Sequence, residues 1–210
     1  MNETEVTTFV REKNLEAWSR YFVAIKDQLG AREKTFETIF DYLIDLEHPP
    51  LIVETGTYRE ENNYTGDGCS TILFDNFVDC FGGNLFSVDI DPDACELARG
   101  ATKHAQIVES DSVEFLGNLY GRCDLLYLDS YNIQNWYEDW APSAHHLKEL
   151  FAAKNIIRPG TLIVVDDNIT TSEGAKYGKG RVINELMEAL GIEPLFESYQ
   201  IGWVWQEPEE

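Results

Sequence analysis

Basic residues are scarce in this sequence: its 210 residues include 16 Lys and Arg against 38 Asp and Glu, which makes the net charge -22. Such a field repels the phosphates of nucleic acids and anionic lipids, so neither is expected as a partner, whereas a small neutral or cationic substrate is. Apolar runs of membrane-spanning length are also absent, and the polar start, Met1 to Glu5, is not typical of a signal peptide. We therefore expect a cytoplasmic protein.

Cysteine is scarce as well, and its four copies, Cys69, Cys80, Cys95 and Cys123, lie far apart without a Cys-x-x-Cys pair. This spacing argues against a disulfide framework and favours reduced thiols. Internal repeats and low-complexity tracts are missing too. The length suits one domain in which helices cover both faces of a sheet.

The most informative stretch, residues 51–91, has the pattern of strand, glycine loop, helix and strand. The first strand ends at Glu54, just before Gly56, and the second ends at Asp89, just before Asp91. Ligands of open parallel sheets bind beyond the carboxyl ends of the strands, so these acids are candidates to contact one. Gly56 lets the backbone approach a ligand closely. A carboxylate such as Asp89 offers two acceptor oxygens to two ribose hydroxyls.

The glycine loop distinguishes between two kinds of nucleotide-like ligand. A dinucleotide fingerprint, Gly-x-Gly-x-x-Gly, turns directly from the first strand into a helix, but residues 66–71 have Thr71 at the third glycine position and begin well after the strand ends. S-adenosylmethionine has a cationic sulfonium and no phosphate, so the surrounding acids favour it over NAD. The alternative is that the glycines form a simple turn and the acids only solvate the strand ends.

Hydrophobic periodicity predicts alternating strands and helices along the rest of the chain. Two amphipathic helices, ending at His48-Pro49-Pro50, form an N-terminal extension, residues 1–50, to a domain of residues 51–210. Further strands are predicted at 106–109, 124–129 and 161–168, helices at 70–80, 93–99, 112–120, 143–157 and 180–190, and a final β-hairpin at 194–205. This order predicts an α/β, Rossmann-like, doubly wound sheet with one antiparallel strand.

Three segments fall outside this pattern. Residues 59–65 are predicted to be an exposed insertion, and the aromatic segment 134–140 either forms a substrate wall or packs on the sheet. Residues 174–180, rich in glycine and lysine, form either a lid over the site or a solvated loop. Asp111 either only caps the helix that follows it or also accepts a hydrogen bond from an exocyclic amine of the ligand.

Six short motifs follow one another along the chain: Glu54-Thr55-Gly56, Asp89, Ser110-Asp111-Ser112, Leu128-Asp129, Pro159-Gly160 and Asp166-Asp167. Their order resembles that of the class I S-adenosylmethionine-dependent methyltransferases. The acids after the fourth and fifth strands are similar to those of metal-dependent small-molecule O-methyltransferases, including the catechol, caffeoyl-CoA and antibiotic-sugar enzymes. The resemblance covers roughly residues 51 to 206 and implies the sheet order 3-2-1-4-5-7-6 with strand 7 antiparallel.

The resemblance implies a set of cofactor-binding residues: Glu54, Gly56, Thr57, Tyr58, Ser70, Asp89, Ile90, Asp111, Ser112 and Asp129. Among them, Glu54 and Gly56 would line the methionine part of S-adenosylmethionine. Asp89 would hold the ribose hydroxyls. Asp111 and Ser112 would flank the adenine.

The resemblance also implies that Asp129, Asp166 and Asp167 ligate Mg²⁺ or another divalent cation, with Asn168 as a further ligand or a turn residue. The donors suit this role, because Mg²⁺ prefers hard oxygen ligands and converging carboxylates repel one another unless a cation joins them. Such a cation would bind a substrate hydroxyl, lower its pKa and orient it towards the sulfonium methyl group. The alternative is that Asp166 and Asp167 cap the fifth strand and the following turn.

Two features depart from the resemblance. Residues 59–65 lengthen a loop that is normally short in the family, and Tyr131 stands where the sugar enzymes have an acid that is thought to act as the base. The catalytic candidates are therefore Asp129, His145 and His146, since imidazole titrates near neutrality, although structural histidines are the alternative. We predict an O-methyltransferase acting on a small hydroxylated molecule, with a homodimer as a compatible assembly. The alternatives are a non-catalytic S-adenosylmethionine-binding protein, which Tyr131 motivates, and an NAD-dependent oxidoreductase.

Overall fold

The computed structural model describes residues 3–67, 69–133 and 135–207. Outside the described residues lie Gly68 of the glycine loop, Gln134 of the aromatic segment, Met1 and Asn2 of the polar start, and residues 208–210. The helices are α1 (Glu3–Ile25), α2 (Glu33–Ile44), α3 (Ser70–Phe81), α4 (Pro92–Ala101), α5 (Ser112–Asn118), α6 (Trp140–Ala152) and α7 (Arg181–Ala189). The strands are β1 (Leu51–Thr55), β2 (Asn84–Asp89), β3 (Gln106–Glu109), β4 (Leu125–Leu128), β5 (Leu162–Val165), β6 (Asn168–Thr170), β7 (Lys176–Gly178), β8 (Phe196–Glu197) and β9 (Ile201–Val204).

The main sheet has the strand order β3-β2-β1-β4-β5-β9-β8. Strands β1 to β5 are parallel, whereas β9 is antiparallel to β5 and forms the final hairpin with β8. Counted along this sheet alone, the order is the predicted 3-2-1-4-5-7-6. The prediction of a Rossmann-like doubly wound sheet is therefore confirmed.

The central strands β4 and β5 are buried along their whole length. A parallel strand covered by helices on both faces needs such a continuous apolar run. Because successive side chains point to opposite faces, Leu125 and Tyr127 join one hydrophobic core, while Leu126 and Leu128 join the other. The two cores cover both faces of the sheet, and the carboxyl ends of its parallel strands share one edge.

The N-terminal helices pack into the first of these cores. The ring of Trp18 on α1 lies 4.5 Å from the ring of Phe40 on α2 and 5.1 Å from that of Phe77 on α3. Phe36 on α2 stacks on Tyr127 of β4 at 6.0 Å. Residues 18–43 therefore share a core with the sheet, and Arg32, just before α2, reaches Asp166 at the carboxyl edge.

The fifth strand ends at Val165 rather than at Asn168, which corrects the sequence prediction. Asp167 turns the chain with a left-handed φ of 55°, and Asn168 begins β6, which pairs with β7 in a separate two-stranded ribbon. Gly178 permits this pairing, because a Cβ atom there would lie 2.2 Å from the carbonyl oxygen of Asp167. Residues 176–178 of the segment 174–180 thus form part of the ribbon, and Lys179 is 1% exposed rather than solvated.

Two further observations concern the predictions about membrane spans and cysteines. Within the described residues, no helix combines the length and the apolar character that crossing a bilayer demands. All four cysteines are free thiols, and Cys69, Cys95 and Cys123 are buried.

Candidate functional site

A cavity of about 420 Å³ opens at the carboxyl edge of β1, β2, β3 and β4. It is of the size that small-molecule sites usually have. The sequence-predicted residues that line it are Gly56, Thr57, Tyr58, Ser70, Asp89, Ile90, Asp111, Ser112, Asp129 and His145. The structure thus brings the predicted cofactor residues together, with Glu54 as the exception.

Asp89 is held at the end of β2 by backbone groups. Its Oδ2 accepts a hydrogen bond from the Thr57 N–H at 3.1 Å, and its Oδ1 accepts one from the Asp91 N–H at 2.9 Å. Each carboxylate oxygen has a second lone pair, so both oxygens can still accept from a ligand in the cavity. This arrangement suits a pair of neighbouring hydroxyl groups.

Gly56 makes the sharp turn after β1 with a φ of 83°. A Cβ atom at this position would lie only 2.7 Å from the carbonyl oxygen of Asp129, at the end of β4. Glycine is therefore required here by the neighbouring strand end, in addition to any close approach to a ligand.

Glu54 is fully buried behind the cavity wall, which corrects its predicted contact with the cofactor. Its carboxylate accepts hydrogen bonds from the hydroxyls of Ser70 at 2.5 Å, Thr71 at 2.6 Å and Ser87 at 2.5 Å. Burial raises the pKa of Glu54 to about 7, although these three hydroxyls oppose the shift. Glu54 thus ties the start of α3 and strand β2 to β1.

His145 lies on the cavity wall between two polar side chains. Its Nε2 is 3.2 Å from the hydroxyl of Ser112 and 3.3 Å from Oε1 of Glu149, one turn later on α6. The hydrogen bond with Glu149 raises the pKa of His145. Sequence reasoning missed Glu149, but its i,i+4 spacing from His145 on a predicted helix was a usable signal.

His146 is fully buried and does not line the cavity, which corrects its prediction as a catalytic residue. Its Nδ1 lies 2.7 Å from the carbonyl oxygen of Pro142, and burial lowers the pKa of its imidazole to about 4. Adjacent residues on a helix point about 100° apart, so one histidine of the pair faces the cavity and the other faces the core.

The three acids predicted to ligate a metal, Asp129, Asp166 and Asp167, do converge, and we call them the acid cluster. They converge on two cationic side chains of the protein itself. Lys179 Nζ donates to Oδ1 of Asp129 at 2.7 Å and lies 2.9 Å from Oδ2 of Asp167. Arg32 Nε donates to Oδ2 of Asp166 at 2.8 Å.

Asp166 and Asp167 also accept from further donors. Oδ2 of Asp166 accepts from the Tyr127 hydroxyl at 2.9 Å, and its Oδ1 accepts from the Asp167 N–H at 2.8 Å. Oδ1 of Asp167 accepts from the Tyr199 hydroxyl at 2.6 Å and from Arg32 Nη2 at 3.3 Å. Asp166 is fully buried, so these donors replace its hydration.

The partners in this cluster influence one another's protonation in opposite directions. Burial favours a neutral Lys179, but Asp129 and Asp167 outweigh it and raise the pKa of the ammonium. Burial also raises the pKa of Asp129, while the ammonium opposes that shift. Because Nζ lies 2.7 Å from Oδ1, the geometry supports the charged pair.

This donor set does not fit a divalent cation in the observed arrangement, because Oδ1 of Asp129 and both oxygens of Asp166 and of Asp167 already face donors of the chain. Asn168, which the sequence left as ligand or turn residue, begins β6, and its side chain binds the backbone: its Oδ1 accepts from the Gly180 N–H at 2.7 Å, and its Nδ2 donates to the carbonyl oxygen of Val165 at 2.9 Å. Among the described residues, His, Cys, Asp and Glu form no group of three or more in a metal-binding arrangement.

The 59–65 insertion reaches across the mouth of the cavity. Arg59 Nη2 donates to Oδ1 of Asp67 at 2.7 Å, and its Nη1 donates to Oδ1 of Asn132, in the loop after β4, at 2.5 Å. Tyr131, in the same loop, has a φ of 61°, and its ring lies 5.5 Å from that of His145. The segment predicted to be an exposed insertion therefore contributes Arg59 to the cavity.

No family model matches the chain. The MycE methyltransferase of the mycinamycin biosynthetic pathway, solved with Mg and SAH, is similar over 91% of this chain, with a TM-score of 0.58 and 18% identity. The apo structure of CalS11, a TDP-rhamnose 3'-O-methyltransferase of calicheamicin biosynthesis, matches over 99% of this chain and 97% of its own, with a TM-score of 0.56 and 12% identity. Aeropyrum pernix fibrillarin, solved with natively bound S-adenosyl-L-methionine, matches over 81% of this chain and 74% of its own, with a TM-score of 0.53 and 17% identity.

These likenesses concern the fold. The chain spans about half the length of MycE, 54% and 49% in its two crystal forms, and nearly all of CalS11. At such low identities the comparison establishes the fold alone, a Rossmann-like fold that this chain shares with these structures.

Proposed function

We propose that the protein is an S-adenosylmethionine-dependent O-methyltransferase that acts on a small hydroxylated molecule. The observation that carries this proposal is the acidic lining of the cavity at the carboxyl edge of the sheet: Asp67, Asp89, Asp91, Asp111 and Asp129, with Arg59 as the lining arginine. S-adenosylmethionine has a positive sulfonium and ammonium group, whereas a dinucleotide has an anionic pyrophosphate. The lining therefore favours the methyl donor.

The lining residues suit the parts of S-adenosylmethionine, which supplies a methyl group on a cationic sulfur when bound. The two carboxylate oxygens of Asp89 suit the ribose hydroxyls. Asp111 and Ser112, at the end of β3, suit the adenine, and residues 56–58 with Asp129, at the ends of β1 and β4, suit the methionine part. The fold delivers all of these groups to one edge.

Transfer of a methyl group to a hydroxyl oxygen forms a C–O bond, breaks a C–S bond and releases the hydroxyl proton. His145 is the candidate to take up this proton, because it lies on the cavity wall and Glu149 supports its protonated form. The buried His146 is not part of this proposal.

Divalent-cation assistance, which the sequence predicts, is not carried into the proposal. Oδ1 of Asp129 and the carboxylate oxygens of Asp166 and Asp167 already face Lys179, Arg32 and two tyrosines. The likeness to MycE and CalS11 supports an O-methyltransferase, but their substrates remain statements about those proteins.

Two alternatives can be separated by experiment. A non-catalytic S-adenosylmethionine-binding protein is favoured by Tyr131, which stands on the cavity wall in place of an acid. An NAD-dependent enzyme is disfavoured, because residues 56–69 separate β1 from α3 and no glycine turn joins that strand directly to a helix. Turnover distinguishes the first alternative, and ligand identity distinguishes the second.

The test is titration calorimetry with S-adenosylhomocysteine and, separately, with NAD. We expect the wild type to bind S-adenosylhomocysteine only, and Asp89→Ala to bind it about 100-fold more weakly, because two hydrogen bonds to a charged group are lost. Asp93→Ala, an exposed acid on α4 outside the cavity lining, is the matched control. A screen of hydroxylated acceptors then measures S-adenosylhomocysteine release.

Absence of binding by the wild type would overturn the cofactor assignment. Equal binding by Asp89→Ala and Asp93→Ala would overturn the site. Binding without methyl transfer to any acceptor in the screen would favour the non-catalytic alternative.

A further inference from the structure

We infer that Lys179 is the resident cation of the acid cluster. Its ammonium takes the position that a divalent cation would need between Asp129 and Asp167, so the wild-type cluster binds no divalent cation. Removal of Lys179 converts the cluster into a divalent-cation site. This inference concerns the resemblance to metal-dependent enzymes and goes beyond the proposed function.

First, all three hydrogen-bond donors of the Lys179 ammonium group have acceptors in the protein. An ammonium has three donors. Those of Lys179 meet the carbonyl oxygen of Asp129 at 3.1 Å, Oδ1 of the same residue at 2.7 Å and Oδ2 of Asp167 at 2.9 Å. The side chain is 1% exposed, so it is built into the cluster and does not sample solvent.

The second step is steric and electrostatic exclusion. Mg²⁺ binds carboxylate oxygens at about 2.1 Å, and an ion at that distance from Oδ1 of Asp129 would lie no more than about 5 Å from Nζ of Lys179. Two positive charges that close, in a buried site, repel strongly. The ion and the ammonium therefore cannot share the cluster.

The third step is the charge balance. The three carboxylates of the acid cluster face two cations, Lys179 and Arg32. Arg32 pairs with Asp166 and also donates to the carbonyl oxygens of Thr65 and Gly66, each at 3.1 Å. Loss of Lys179 would leave three negative charges against one positive charge. That deficit of two charges equals the charge of one divalent cation.

The position of Lys179 is fixed by the ribbon of β6 and β7, so the lysine is placed by the backbone. Its N–H donates to the carbonyl oxygen of Asp167 at 3.1 Å, next to the close approach of Gly178 to the same residue. The ribbon thus delivers a cation to the strand ends where Asp129 and Asp167 lie.

The experiment uses Mn²⁺ as the probe and follows its free electron-paramagnetic-resonance signal during titration of the full chain. We expect the wild type and Lys179→Arg to show no saturable site. Lys179→Met should bind one ion at least about tenfold more tightly than the wild type, since the buried charge is then uncompensated. Lys176→Met is the matched control, because this lysine lies on the same ribbon but pairs with Glu197 at 2.9 Å, outside the cluster.

A second readout does not depend on activity. Mn²⁺ should raise the unfolding temperature of Lys179→Met and leave that of the wild type unchanged. The gain should disappear in the double variant Lys179→Met with Asp167→Asn. These measurements need no methyl acceptor, so a failure here is distinguishable from a failure of the proposed function.

A wild-type Mn²⁺ site that Asp167→Asn abolishes would overturn the inference. So would a folded Lys179→Met that gains no ion. If Lys179→Met does not fold, Lys179→Gln provides the same test. If neither folds, the wild type decides alone: a bound ion at the cluster overturns the inference, and no bound ion supports it.

Discussion

Two halves of one sheet edge use aspartate in opposite ways. At the ends of β2 and β3, Asp89 and Asp111 accept hydrogen bonds from backbone N–H groups and line an open cavity. At the end of β5, Asp166 and Asp167 are enclosed with Lys179 and Arg32. The position in the fold and the residue type are the same. The difference comes from what distant segments deliver to each half.

The comparison shows why a strand-end acid is not by itself a metal or cofactor ligand. A backbone N–H fixes a carboxylate without cancelling its charge. The half with Asp89 and Asp111, which we call the open half, therefore remains attractive to a cationic ligand. The buried carboxylates of Asp166 and Asp167 have lost hydration and are instead compensated by the charges of Arg32 and Lys179. The partner therefore determines which role an acid takes.

The largest expected effect on stability is in the half with Asp166 and Asp167, which we call the closed half. Asp166→Asn should lower the free energy of unfolding by about 3–5 kcal/mol, because it leaves Arg32 buried without its main counter-charge. Urea unfolding at neutral pH measures this change. Asp41→Asn, an exposed acid on α2, is the control and should shift stability by no more than about 0.5 kcal/mol.

A double-mutant cycle sharpens this test. If Arg32→Met and Asp166→Asn act through their ion pair, the double variant should be less destabilised than the sum of the two single variants. Additive effects would contradict the pairing and with it the contrast between the two halves.

The sequence predicted the open half better than the closed half, for a physical reason. Strand β3, residues 106–109, was predicted with its observed bounds, and Asp89 followed from the rule that parallel strands meet their ligand at the carboxyl edge. Arg32 lies 134 residues from its partner Asp166. No periodicity connects such residues, because only the packing of α2 against the sheet brings them together.

Local sequence patterns did not predict features that depend on a shift of one or two residues along an element. His145 and His146 are the same residue type at adjacent positions of α6, yet of these two only His145 lines the cavity. Similarly, β5 ends at Val165 and Asp167 turns the chain with a left-handed φ, within residues 161–168 that were predicted as one strand. Both outcomes depend on the surrounding packing, which the sequence pattern does not encode directly.

Glu54 is intermediate between the halves, since it is a buried acid that hydroxyls alone satisfy. The pKa of Glu54 rises from 4.5 to about 7 in the folded protein. The folded state thus binds more protons than the unfolded state between these values, so the contribution of Glu54 to stability falls as pH rises through this window. Glu54→Gln should remove this dependence, which amounts to about 3 kcal/mol.

Urea unfolding of both proteins at several pH values from 4.5 to 8 checks this prediction. Glu54→Gln should gain stability relative to the wild type as pH rises. Glu96→Gln, an exposed glutamate on α4, is the control. Parallel stability curves for Glu54→Gln and the wild type would show that the hydroxyls keep Glu54 charged throughout the window.

Gly56 joins the open half to Asp129, at the border of the closed half. Gly56→Ala should lower stability by about 2 kcal/mol, because an alanine at φ 83° is strained and its Cβ meets the carbonyl oxygen of Asp129. Binding of S-adenosylhomocysteine should weaken too. The control is Gly117→Ala on α5, where no atom lies within 4 Å and alanine should stabilise by up to about 1 kcal/mol. Equal stabilities for the two variants would remove the steric argument.

The smallest expected effect tests whether Asp111 binds the ligand or only caps α5. Its Oδ1 caps α5 by accepting from the Glu114 N–H at 2.9 Å, and the residue also lines the cavity. Asp111→Ser keeps a capping oxygen and loses the charge, whereas Asp111→Ala loses both, at about 1 kcal/mol of stability. If the carboxylate also accepts from the ligand's amine, both variants should bind S-adenosylhomocysteine several-fold more weakly. Normal binding by Asp111→Ser would mean that the acid serves α5 alone.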